Sequence, residues 1–182
     1  MLLDNNLNNF INDGYVRFDE LLDKQSCSKL YHNIKRDRNW GPDLFQTESE
    51  HKREFINKPK KKLNPGKGIQ NLIDKHNTDF ISKNETIIQI LNKIVGTNYE
   101  IILPKFVVAV PENWMPDYVK EENNKKLISN FNQYIKKEYR DVTYFRGIDY
   151  HMDSIDWENS SNQFITLYIY LNDIDKFMSP LN

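Results

Sequence analysis

The chain has 182 residues, a formal net charge of −1 and a hydrophobic content of 38%. That is long enough for one domain with its own core, and too nearly neutral for a whole-chain attraction to nucleic acid or an anionic membrane. Cys27 is the single cysteine, which excludes a disulfide framework and a Cys-based zinc site and suits a reducing compartment.

The opening, MLLDNNLNNFINDG, lacks the basic start and apolar run of a signal peptide. No later run reaches the length of a membrane-spanning helix. The expectation is a soluble, cytoplasmic protein. Residues 7–22 read as a short helix, a turn at Asp13-Gly14 and a strand in which Tyr15, Arg17 and Asp19 alternate with Val16, Phe18 and Glu20. Residues 23–37 predict an amphipathic helix, with Asp23 as its cap and Cys27, Leu30 and Ile34 on the apolar side. His32 falls on this helix as an ordinary helical residue.

From 38 to 68 the chain reads as loop, broken by Pro59, Pro65, Gly66 and Gly68. Lys58, Lys60, Lys61, Lys62 and Lys67 make a basic run there. A solvated loop is the plain reading; an arm that attracts an anionic substrate is the sharper one. His51 and His76 stand in polar surroundings without a ligand pattern. Residues 84–96 predict a helix capped by Asn84, stopped by Gly96 and striped by Ile87, Ile88, Leu91 and Ile94. Residues 99–111 are β-rich, with Pro104 marking a bulge or a break between two strands. Residues 116–141 read as a polar helix, an insertion packed outside the core, with Leu127, Ile128, Phe131 and Ile135 as its narrow apolar face. TYFRGIDYHMDSIDW reads as a strand broken at Gly147, and residues 163–173, QFITLYIYLND, as the strongest strand in the chain. Neither an internal repeat nor a domain boundary is visible, so residues 1–182 are expected to form a single α+β domain with helices flanking a sheet.

Within that last third, YHMDSIDW places His151 and Asp153 two positions apart. On a strand such residues point the same way, about 6.5–7 Å apart. An imidazole and a carboxylate so placed can converge on one metal. Two His and one carboxylate on one face of the metal leave positions open for a co-substrate and O₂, as in non-haem Fe(II) oxygenases. The same pair is equally at home as a strand-end His hydrogen-bonded to an acid, so its surroundings have to decide.

Those surroundings are an aromatic residue (Tyr150), His-x-Asp, a polar loop, a strand ending YLNDID and, loosely matched, SPL at 179–181. This order resembles the phytanoyl-CoA dioxygenase-like family of Fe(II)- and 2-oxoglutarate-dependent oxygenases. FINDGYVRFDELLDKQSCSKL near the start looks like the family's opening, whereas residues 38–84 and 112–141 match no motif of it. The resemblance implies a double-stranded β-helix, or jelly roll, with N-terminal helices. It implies iron held by His151 and Asp153, with 2-oxoglutarate and O₂ as co-substrates. It implies hydroxylation of a small molecule or an acyl-CoA-type compound, because the family's halogenases lack the carboxylate that Asp153 retains. It places Lys105, Thr166 and Tyr168 toward the co-substrate, Tyr150 and Trp157 as pocket walls and Asp156 beside the ligands or a substrate amine.

The family's distal His and its 2-oxoglutarate-binding Arg are not found after the strand over 163–173. A jelly roll also needs about eight strands. The chain is therefore expected to be the N-terminal part of a longer protein, inactive alone, with exposed strand edges. Two rival readings remain. One is a non-catalytic jelly-roll binding protein or degenerate oxygenase relative. The other is a small interaction or nucleic-acid-binding module using Lys58–Lys67, against which the near-neutral charge counts.

Overall fold

The computed structural model describes residues 10–56, 71–101, 104–126, 128, 130–145 and 165–172. Helix α1 spans Lys24–Arg36, and the Asp23 side chain accepts from Ser26 N at 2.7 Å. Leu30 and Ile34 carry its buried side. At its end the Trp40 indole donates to the Ile34 carbonyl at 3.0 Å, folding the chain back over the helix terminus. A 3₁₀ turn over Pro42–Leu44 then drops Leu44 fully into the core.

Helix α2, Glu48–Phe55, lies inside the stretch read as loop. Its signal is a reciprocal capping box: Thr47 accepts from Glu50 N at 3.3 Å, and Glu50 accepts from Thr47 N at 2.7 Å. Thr47→Ala is expected to cost about 1 kcal/mol in urea unfolding. A loss below a few tenths would mean that packing alone holds α2.

A 3₁₀ turn over Leu72–Lys75 and the one-turn helix α3, Asp79–Ser82, lead to α4, Glu85–Val95. Asn84 caps α4 by accepting from Ile87 N at 3.1 Å, and Gly96 ends it at φ 81°, where a side chain would be strained. Cap and stop fall where the sequence puts them, but the buried side is Ile87 and Ile90, with Ile88, Leu91 and Ile94 of the expected stripe only partly buried.

Strand β1, Val107–Ala109, pairs in parallel with β2, Thr143–Phe145, in the register Val107↔Thr143, Val108↔Tyr144, Ala109↔Phe145. Parallel strands need a long crossover. This one holds a 3₁₀ turn over Glu112–Trp114, helix α5 over Asp117–Lys125, and 3₁₀ turns over Asn132–Tyr134 and Lys137–Tyr139. Among the described residues, the expected helix over 116–141 is thus α-helical only across α5. Phe131 and Ile135 do not belong to an insertion packed outside the core; with Tyr134 they are buried at the centre of the domain, at 0–1% exposure.

The core gathers Leu30, Ile34, Leu44, Phe45, Leu72, Val119, Phe131, Ile135 and Tyr144. Bridges Phe45↔Ile135 and Asn130↔Phe145 tie the crossover to both halves of the chain. Other differences concern strands. Among the described residues, 15–20 form no strand, 99–111 contribute only β1, and 165–172 lie outside both named strands. Ile165, Leu167, Tyr168 and Tyr170 of that last segment are exposed, while Leu171 packs on the core. Among the described residues no helix is long and apolar enough to cross a membrane.

Candidate functional site

The densest polar chemistry in the described structure lies at the turn before β2. There Arg140 and Asp141, adjacent and oppositely charged, each reach a partner from the first third of the chain. Arg140 Nη1 and Nη2 donate to Glu54 Oε1 and Oε2, both at 2.8 Å, and its Nε donates to the Ile135 carbonyl at 2.8 Å. Gln46 Nε2 completes the Glu54 carboxylate at 2.6 Å. Asp141 accepts Arg38 Nη1 at 2.7 Å and Nη2 at 2.8 Å, with Lys75 Nζ at 3.2 Å. Both pairs have the fork geometry that arginine offers a carboxylate.

Burial sharpens these contacts. The Arg38 and Asp141 side chains are 5% and 6% exposed. Arg38 lies over the Trp40 ring at 5.0 Å and the Tyr139 ring at 5.3 Å, and its Nη1 also donates to the Tyr144 hydroxyl at 3.3 Å. The hydrogen bonds from Arg140 hold the Glu54 carboxyl down at about 2, against the opposing effect of burial. Burial raises Asp141, but Arg38 and Lys75 outweigh it and keep the group below the usual aspartate range. Burial pushes the Tyr144 phenol up to about 12. The carboxylates are paired and the phenol is protonated at neutral pH, so this cluster offers neither a base nor a nucleophile. It is built to hold the chain.

The described histidines have local roles. His51 is buried on α2, stacked on Tyr134 at 4.7 Å and tilted against Phe55 at 4.9 Å. His76 Nε2 meets Asp37 Oδ2 at 2.6 Å, and exposed His32 Nδ1 lies 2.7 Å from the Ser28 carbonyl oxygen. Among the described residues no group of three or more His, Cys, Asp or Glu is placed to hold a metal.

His151, Asp153, Tyr150, Asp156 and Trp157 lie outside the described residues, as does Lys58–Lys67. Lys105 is half-buried on the approach to β1. Thr166 and Tyr168 are exposed on 165–172. What sequence reasoning missed is the ionic cluster, whose partners stand 86 and 103 positions apart along the chain. A local pattern cannot signal such pairings. Comparison with protein-family models, with curated proteins and with solved structures returned no match to this chain.

Proposed function

We propose that the chain supplies His151 and Asp153 to an Fe(II) centre of a 2-oxoglutarate-dependent dioxygenase that hydroxylates a small molecule or acyl-CoA-type substrate on a jelly-roll scaffold. The observation that carries this reading is the order of the last third: β2, then Tyr150-His151-Met152-Asp153, then the β-prone apolar stretch 163–173. The donors fit the metal in kind, because a neutral imidazole and a carboxylate are ligands that Fe(II) takes in such oxygenases. A third donor is not in the motif.

When bound, iron with 2-oxoglutarate and O₂ supplies the oxidising chemistry. The protein's part is to bind, orient and keep water out. His151 and Asp153 would hold the metal, and the negative charge of Asp153 would offset part of the cation's. Lys105 would place an ammonium against a co-substrate carboxylate, with Thr166 and Tyr168 as hydroxyl donors beside it. Tyr150 and Trp157 would wall the substrate space, and Asp156 would orient a ligand or a substrate amine. A reducing, cytoplasmic setting suits both the lone Cys27 and ferrous iron.

The test is anaerobic Fe(II) titration by calorimetry. His151→Ala and Asp153→Ala should each weaken Fe(II) by about tenfold or more, since loss of an outer-shell partner alone costs that much. Equal affinity in the wild type and both variants sinks the proposal. Small-molecule binding that is indifferent to iron would favour the non-catalytic jelly-roll reading.

A further inference from the structure

Arg140 and Asp141 share one peptide bond, and each is anchored to a different part of the N-terminal third. Arg140 holds Glu54 of α2. Asp141 holds Arg38, just beyond α1. All four side chains are at most 13% exposed, so salt screens neither pair as it would a surface pair. Opening one arm disturbs the other. Moving Arg140 out breaks its bond to Ile135 O and shifts the peptide that carries Asp141. Moving Asp141 out leaves Arg38 buried between two aromatic contacts and short of its counter-charge, a costly state.

We propose that residues 140–141 act as one two-armed latch, which opens as a unit when Glu54 and Asp141 are protonated and detaches the Asp37–Trp40 corner from β2 before the helices unfold. The groups facing each carboxylate are few. Glu54 meets Arg140 and the Gln46 amide, with Lys137 near by. Asp141 meets Arg38 and Lys75. Tyr139 and Tyr144 contact Arg38, and the Asp37–His76 pair flanks Arg38 and Lys75 in sequence. Both carboxyls are held below their ordinary range. Their contribution is therefore complete above the unfolded carboxylate values and is lost as pH falls, for Glu54 between 4.5 and about 2. The helices persist longer because Leu30, Ile34, Ile87 and Ile90 pack without regard to those charges.

Trp40 reports the opening, because it touches Arg38 and has no contact with Glu54 among those described. In a Trp114→Phe, Trp157→Phe background, Trp40 emission and far-UV circular dichroism are followed from neutral to acid pH. The emission step should precede the loss of helix. Glu54→Gln should raise the emission midpoint by about half a pH unit or more. Glu48→Gln, an exposed carboxylate on the same helix paired with Lys52, should leave it unchanged. Should Glu54→Gln fail to fold, Gln46→Met, which strips one hydrogen bond from Glu54, is read in the same way. Coincident emission and helix transitions, or a midpoint indifferent to the Glu54 arm, overturn the latch.

Discussion

Arg140→Met should destabilise the protein at neutral pH by about 3–5 kcal/mol, the cost of leaving one member of a buried ion pair without its partner. Glu54 would keep the Gln46 amide and the nearby Lys137, and the Ile135 carbonyl would lose the Arg140 donor. The loss should depend on pH with a definite sign. Glu54 is depressed to about 2 chiefly by Arg140, so the pair stabilises above the unfolded value of 4.5 and stops doing so as pH falls toward about 2. The gap between wild type and variant should therefore shrink in acid. Adding Glu54→Leu should recover most of the loss, because an apolar pair of similar volume is often as stable as a buried ion pair. Urea unfolding of the wild type, both single variants and the double variant measures this. A single-variant loss below about 1 kcal/mol would put the pair in the surface class.

What could be read from the sequence was local. Asp23 and Asn84 are followed by apolar stripes, and Gly96 stops the second, so α1 and α4 are where their caps and periods put them. Residues 116–141 mislead because Phe131 and Ile135 are helically spaced while the chain between them is not α-helical. Asparagine side chains compete for the backbone there. Asn130 Oδ1 accepts from Asn132 N at 2.8 Å. Asn132 in turn accepts from Tyr144 N at 2.9 Å and donates to Val142 O at 2.6 Å. Asn132, inside a stretch read as polar helix, is thereby a buried splice between the crossover and β2.

The candidate site divides along the same line. His-x-Asp is a contiguous pattern with a chemical rationale, so it can be proposed from the sequence alone. The ionic latch joins residues from three distant stretches, and only the fold brings them together. The two bear on each other through β2. Its last residue, Phe145, precedes His151 by six positions, and Asp141 lies two before its first residue, Thr143. Whatever fixes the turn at 140–141 fixes the strand that feeds the motif.

Phe131→Ala tests that strand from its apolar side. The Phe131 side chain is fully buried and meets Phe45 edge-on at 6.4 Å, while its backbone N donates to Tyr144 O at 2.8 Å. Truncation removes transfer free energy and opens a cavity beside the Phe45 ring. The expected loss is about 3–5 kcal/mol. Phe131→Leu, which keeps most of the volume, should cost about 1.5 kcal/mol or less if the neighbours repack. Because Phe131 lies beside β2 but far in chemistry from the ionic turn, its destabilisation should not vary between pH 7 and pH 3 in the way that of Arg140→Met does. Denaturation midpoints at the two pH values decide this. A Phe131→Ala loss that also fades in acid would mean that the apolar core and the ionic turn fail together, and that β2 has no packing independent of its charges.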